Sequence, residues 1–443
     1  MKKVAVVGSG ISGLSAAWYL GRQSYPVAVT LFEAEDYCGG HTHTVDVTLP
    51  NSRGEWVTHG VDTGFLVFNE RTYPGLIELF NTLNVQTAPS DMSFSVQVPA
   101  QSLEWCGSNL NTVFAQRKNL LRPQFWSMLS DLVRFNRQAT TLARSGTEAQ
   151  LQEPLGAFLE TNGYGDSFRD WYLLPMISSI WSCPADQMMA FPVATLIRFC
   201  HNHGLLQLVN RPQWHTVRGG ARHYVEKMTA EIPDLRLRTP VISVRRHGQN
   251  TGVSVTTRFG TEYFDDIVMA CHSDQALKLL ALDAHPQEIE MLSAIQYQPN
   301  HAVLHTDISV LPARETAWAA WNYEHGVRGD DAMPGVCLHY LLNRLQPLPF
   351  DVPVVETLNP LREPDPGKVL ARFDYSHPVF DLAARRAQGQ LPDLQGRNHT
   401  WYCGAWTGYG FHEDGYQSGL RVANQLVECW QQSPVRPSSA LAA

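Results

Sequence analysis

The sequence predicts an α/β protein built around a parallel sheet, and three stretches among its first forty residues carry that prediction. Residues 4–7 are a short, apolar, β-branched run of the kind that forms a buried parallel strand. The run leads directly into Gly8-x-Gly10-x-x-Gly13 and an alanine-rich helical pattern, so a strand, a tight turn and a helix start follow one another. A second apolar run, residues 27–32, ends at Glu33, twenty positions beyond Gly13. Each part has a task at a dinucleotide. Gly8 permits the turn, Gly10 lets backbone approach a pyrophosphate, Gly13 lets the helix pack on the strand, and Ser12 lies in the same turn, at the helix N-terminus where phosphates sit. The Glu33 carboxylate is placed to accept hydrogen bonds from an adenosine ribose. A Rossmann-like domain is therefore expected.

Composition bounds the rest. A chain of 443 residues exceeds one core and suggests two domains or one large composite, and 44% apolar with 17% charged residues describes a globular protein. A net charge of −8 without a sizeable basic run argues against a nucleic-acid partner. The eight cysteines are scattered with no CxxC spacing, which fits free thiols in a reducing, cytoplasmic compartment. Lys2-Lys3 precedes an apolar stretch, but the glycine motif begins too early for a signal peptide, so the N-terminus reads as mature structure. The apolar-rich segment 171–199 is interrupted by Pro175, Pro184, Asp186 and Pro192, too often for a membrane span.

Farther along, Gly39-Gly40 allows a second loop to approach a bound cofactor, and His41 and His43 alternate as on a strand. With no third ligand nearby they read as hydrogen-bonded histidines, and no metal site is expected. From residue 72 to about 212 the pattern turns helical with aromatic patches. The stripe Phe125, Trp126, Met128, Leu129, Leu132, Val133, Phe135 reads as core. Residues 301–377 are dense in polar aromatics and histidines, among them His301, His305, Trp318, Trp321, Tyr323, His339, Tyr340 and His377, expected to line a sheet. Near the end, residues 401–423 predict a short strand, a glycine turn and a helix starting near Asp414, with backbone N–H groups aimed at a second part of the cofactor.

The opening VAVVGSGISGLSAA…LFEAEDYCGGH resembles that of the flavin amine oxidase, phytoene desaturase and protoporphyrinogen oxidase superfamily, and the resemblance extends over essentially the whole chain. VDTGFLVFN, NPLREPDPGKVL and CGAW…YGFHEDG…SGL are similar to a narrower bacterial branch of NAD/FAD-binding, amine-oxidase-like proteins associated with cyclopropane-fatty-acid synthases. The resemblance implies non-covalent FAD and an interleaved chain. FAD-binding parts fall at 1–71, 213–275 and 396–432, substrate-domain parts at 72–212 and 276–395, and a disordered tail at 433–443. It further implies cofactor contacts at Gly39, Gly40 and His41, at Thr63, Gly64 and Phe65, at Val241, and at Gly404, Trp406, Gly415, Tyr416 and Ser418. The superfamily usually carries arginine where His41 stands and an acid where Trp406 stands.

Bottom-up, flavin redox chemistry is expected, with no GxSxG, Walker or HExxH motif competing. Amine oxidases commonly place a lysine near the flavin on a strand that falls at residues 299–305, yet no lysine occurs between Lys278 and Lys368. His301 or His305, with Tyr340, is the expected catalytic set. Rings of Trp406, Tyr409 and Tyr416 are placed to cage an amine or to pack an alkyl chain. Three functions stay open. The favoured one is an FAD-dependent oxidoreductase moving a hydride from a hydrophobic substrate, a fatty acyl chain, to flavin N5 in desaturation or isomerisation. The others are an amine oxidase producing hydrogen peroxide and a non-catalytic flavin-binding partner of lipid-modifying enzymes. The branch association adds a cyclopropane-fatty-acid-synthase-like functional partner and a peripheral membrane contact as expectations.

Overall fold

The computed structural model describes residues 1–147, 153–181, 188–207, 211–248, 251–328, 333–334 and 336–432. The tail 433–443 expected to be disordered, and the helix-breaking Pro184 and Asp186, lie outside the described residues. The chain visits two compact units alternately: residues 1–40, 224–294 and 387 onward form the first, and 41–223 with 295–386 the second. The alternation has the expected order with different crossing points, 40, 223, 294 and 386 in place of 71, 212, 275 and 395. The earlier first crossing has a physical cause. Asp62 is clamped through its own backbone by the Gln346 side chain, at 3.0 Å on both sides, and Phe68–Asn69 pairs with Trp214–Val217, so residues 41–69 belong to the second unit.

The first unit is organised by a five-stranded parallel sheet in the order Asp234–Arg236, Val27–Phe32, Lys2–Val7, Asp266–Met269, Thr400–Tyr402. Its central strand is buried on both faces, which is why residues 4–7 read as an unbroken apolar run. Helices Ile11–Gly21 and His412–Gln432 cross where Gly419 faces Ser12 and Ser15 so closely that a methyl group would lie 2.1 Å from the Ser15 hydroxyl. An antiparallel meander, Val241–Arg246, Val253–Thr257 and Gly260–Phe264, meets the sheet where Phe264 packs edge-on against Phe32 at 5.9 Å. Within this unit Arg246 forks onto Glu288 at 2.7 and 2.9 Å, both nearly inaccessible, and the Tyr402 hydroxyl donates to the same carboxylate at 2.7 Å.

The second unit is built on a seven-stranded sheet in the order Val369–Val379, Gln296–His305, Val355–Leu358, Cys337–Leu341, Trp321–Glu324, Phe94–Val98, Leu103–Cys106. Neighbours run antiparallel except Trp321–Glu324 beside Phe94–Val98. The hairpin Thr44–Pro50/Trp56–Asp62 and helices including Pro123–Ser145, Leu155–Thr161 and Val193–Asn202 complete it. Phe125, Met128, Leu132 and Phe135 of the long helix are buried as the stripe predicts, but Trp126 is half exposed. It sits one position beyond the buried face of the helix, so the 3.6-residue period turns it outward. The seven described cysteines are free thiols, and no helix among the described residues is long and apolar enough to cross a membrane.

Candidate active site

In the first unit the functional residues collect at the carboxyl ends of the parallel strands. Gly8 follows Val7, Glu33 follows Phe32, and Gly404 follows Tyr402 with only Cys403 between them. This is the edge at which open α/β sheets bind ligands. Gly13 is required because a methyl group there would lie 1.9 Å from the Gly8 carbonyl oxygen, whereas one on Gly10 would meet nothing within 4 Å. Gly10 therefore borders open space at the start of helix Ile11–Gly21, whose N-terminus has no capping side chain and no acid in its first turn. Gly39 bridges to Gly10, its amide donating to the Ser9 carbonyl at 3.0 Å, so the second glycine pair does approach the first loop. Glu33 accepts from the Ser9 amide at 2.8 Å and hydroxyl at 2.5 Å, and from the Glu35 amide at 2.9 Å, which fixes its carboxylate at the strand end. These features fit an ADP moiety. The uncapped helix end supplies N–H donors to phosphates, and Gly10 leaves room for them.

The C-terminal motif is tied together, and to the first helix, by its own contacts. Ser418 accepts from the Gly404 amide at 2.9 Å and donates to the Gly415 carbonyl at 2.7 Å. Gly415 packs on Ile11 and Ser12 at the helix crossing. Trp406 is 2% exposed and donates its indole N–H to the Cys271 carbonyl at 3.2 Å. Tyr416 is buried, its carbonyl accepting from Ser15 at 3.1 Å, and Val241 pairs with Thr257 at a bulge.

In the second unit the loop Thr63-Gly64-Phe65 is held against residues 41–43. The Thr63 and Phe65 amides donate to the His43 and His41 carbonyls at 2.9 and 2.8 Å, and a methyl on Gly64 would lie 2.1 Å from the His41 oxygen. The Thr63 and Tyr375 hydroxyls are 2.9 Å apart, and Tyr375 is 3.1 Å from His43 Nδ1. The His41 ring lies 5.3 Å from both Tyr375 and His377, so a histidine and tyrosine cluster stands beside the loop.

His301, His305 and Tyr340 are not brought together, which corrects the expected catalytic set. Tyr340 pairs with Glu356 and Glu356 with Leu304, so Tyr340 and Glu356 share one face of the sheet while His301 and His305 emerge on the other. His301 bonds Asp374 at 2.9 Å on the solvent side. His305 is fully buried, its Nδ1 accepting from the Asp307 amide at 3.1 Å, so Nε2 carries the proton and donates to Thr357 at 2.7 Å. Burial holds this ring down to about 4, and with its lone pair committed it is no general base. Thr357 also meets His339 Nδ1 at 2.9 Å, and His339 Nε2 lies 3.0 Å from Glu324. Burial opposes a charge on His339, but Cys337 and Glu324 outweigh it and push it up to about 9. The ligand-type atoms of Glu324, Cys337 and His339 lie within 4.8 Å of one another, forming a buried ion pair with a thiol beside it.

Two acids that sequence reasoning passed over occupy the other side. Glu356 is 2% exposed, and no hydrogen bond or ion pair reaches its carboxyl among the described residues. Burial, with the nearby charge of Asp62, holds it well above the usual carboxylate range. Asp62 precedes the Thr63 loop and accepts from Thr44 at 2.5 Å and from the Ala221 amide at 2.8 and 3.0 Å. Burial pushes it up to about 7 against those bonds. Trp321, Tyr323 and Tyr340 share the face with Glu356. The only sequence signal was the alternation Val-Glu-Thr-Leu at 355–358, which places one acid in an apolar run.

A nucleotide-binding crevice at the ends of a parallel sheet, in a chain that alternates with a second, antiparallel unit, defines a class: the flavin-dependent oxidoreductases of two-unit architecture. The sequence model of the flavin containing amine oxidoreductases matches residues 11–306, and the chain belongs to that family. An L-amino acid dehydrogenase from Synechocystis is 25% identical over 267 residues, 58% of this chain and 52% of the relative, so the match spans about half of that protein's length. A 1-hydroxycarotenoid 3,4-desaturase from Flavobacterium is 47% identical over 47 residues, 11% of this chain and 9% of its own. Among solved structures, a CLA-producing fatty acid isomerase from P. acnes aligns with a TM-score of 0.65 at 15% identity, covering 96% of this chain and 98% of its own. Cyclohexylamine oxidase from Brevibacterium oxydans aligns at 0.64 and 15%, covering 97% and 100%. At such identities these structures show a shared fold.

Proposed function

We propose that the protein is an oxidoreductase that binds FAD non-covalently and removes a hydride from a neutral, hydrophobic substrate, a fatty acyl chain, in desaturation or isomerisation. Gly8, Gly10, Ser12, Gly13, Glu33, Gly39 and Gly40 of the first unit would hold the ADP half. When bound, the flavin supplies a two-electron acceptor.

The observation that carries the substrate reading is Glu356. It is a buried acid with no counter-cation on a face shared with Trp321, Tyr323 and Tyr340. Kept neutral by burial, it offers no charge to a cationic amine, while the aromatic side chains around it suit a chain of methylenes and shield it from water. Glu356 would hold its own proton as a neutral hydrogen-bond donor on that face, and the Thr63–His43–Tyr375 bonds would keep the loop in place. The relatives' own substrates divide between amines or amino acids and apolar chains, so the geometry has to decide. A cyclopropane-fatty-acid-synthase-like enzyme, acting on the same acyl chains, is the proposed functional partner.

The test is the absorption spectrum and extracted cofactor of the purified protein, followed by anaerobic mixing with unsaturated acyl lipids and with amines. Bleaching of a released, unmodified FAD by an acyl lipid supports the reading. Bleaching by amines alone, or colourless protein that takes up no added FAD, overturns it.

A further inference from the structure

The half-exposed Trp126 belongs to a surface that neither the crevice nor the sheet explains. Between Glu104 and Asp131 there is no acidic residue, although the whole chain carries a net charge of −8, and the same stretch contains Arg117, Lys118 and Arg122. The bounding acids are themselves neutralised, Glu104 by Arg314 and Asp131 by Arg134. On this stretch Leu121 is 88% exposed, Leu110 78%, Trp126 50% and Leu120 45%, an unusual concentration of large apolar side chains in water.

The stretch is folded as one surface. Asn109 caps the turn Leu110–Val113, Arg117–Leu121 forms a 3-10 helix, and the long helix begins at Pro123. Arg117 donates to the Phe114 carbonyl at 2.9 Å and to the Asn111 side chain at 2.5 Å, tying the first turn to the second. Trp126 donates to the Leu120 carbonyl at 2.9 Å and packs on Phe114 at 5.2 Å, tying the helix to both. With its N–H bonded, the indole leaves its ring free to sit at an apolar boundary.

We infer that residues 110–126 dock the protein on a lipid bilayer that carries anionic head groups. Exposed leucines and a tryptophan beside the exposed cations Arg117 and Lys118 form the pattern of an interfacial anchor, in which apolar side chains enter the head-group boundary and cations meet lipid phosphates, while Arg122 is turned onto Trp171 and the Gln101 carbonyl. The acid-free composition matches a negative surface and would be wasted on a neutral one. The inference rests on this surface alone and stands whether or not the substrate is an acyl chain.

The experiment uses the full-length, flavin-containing protein sedimented with vesicles of phosphatidylcholine alone and of phosphatidylcholine with phosphatidylglycerol. Wild type is expected in the pellet with the anionic vesicles and to leave it as salt rises. Lys118→Glu, a change of two charges at an exposed side chain, should weaken that binding by about tenfold or more. Leu110→Ser with Leu121→Ser should do the same while melting temperature and flavin content stay at the wild-type values. Wild type that remains in the supernatant with both vesicles, or variants that bind as wild type does, overturns the inference. So does a dimer in solution that the leucine variant dissociates without any vesicle binding, which would make the surface a contact between two copies. Failure of acyl lipids to bleach the flavin, with vesicle binding intact, would strike the substrate proposal alone.

Discussion

Tyr340 and Glu356 are register partners on adjacent strands of the second unit's sheet, and the carboxylate of Glu356 makes the Tyr340 phenol harder to ionise, while Glu356 itself is raised by burial and by Asp62. Burial raises both, and the carboxyl's charge would raise the phenol further. A neutral acid beside a neutral phenol puts two hydrogen-bond donors on one face without a fixed charge.

Burial of Glu356 sets a pH-dependent stability. The Glu356 carboxyl titrates above its unfolded range of about 4.5, so the folded state keeps a proton that the unfolded chain releases, and stability falls as pH rises above that value. Glu356→Gln removes its share of the fall, and Asp62, pushed up to about 7 by burial, keeps the rest. The variant's melting temperature should exceed the wild type's by a few degrees at pH ~8 and equal it at pH ~4. Melts that differ by the same amount at both pH values would refute the assignment.

The two inner glycines of the first turn should separate binding from folding. Gly10→Ala adds a methyl group where the protein has open space, so the apo fold should be unchanged while flavin affinity falls by about tenfold or more. Gly13→Ala collides with the Gly8 carbonyl and should lower the melting temperature by several degrees. Flavin titration and apo-protein melts check both, and equal retention of flavin by Gly10→Ala would remove that residue from the site.

His305 supplies the opposite pH window from Glu356. Its folded value of about 4 lies below the ordinary 6.5, so its contribution is present above pH 6.5 and lost as pH falls toward 4. At about 1.4 kcal/mol per unit this is on the order of 3 kcal/mol. His305→Gln, which can still donate to Thr357, should flatten that acid limb in denaturant titrations. His412, which burial holds at about 3, would keep part of the remaining fall.

Arg246 and Glu288 form a buried bidentate pair, and removing one partner strands a charge. Arg246→Met should cost about 3–5 kcal/mol, and adding Glu288→Leu should recover more than half. An additive double mutant, measured by urea unfolding, would show that the two do not interact.

The sequence by itself determined the glycine-rich turn and the strand ends around it, because every part of them is local. The glycines, the strand before them and Glu33 lie within one strand–turn–helix–strand unit, where spacing dictates geometry. Only the tertiary structure decided which histidines and acids face each other. The strands holding Tyr323, His339, Glu356 and His305 are buried on both faces, so no apolar–polar alternation marks the inner side, and register alone assigns each residue to a face. Asp62 and Glu356 lie in distant parts of the chain and become neighbours only when the hairpin is clamped by Gln346. Burial, which makes these two carboxyls unusual, is a property of the packed sheet and is written in no single segment.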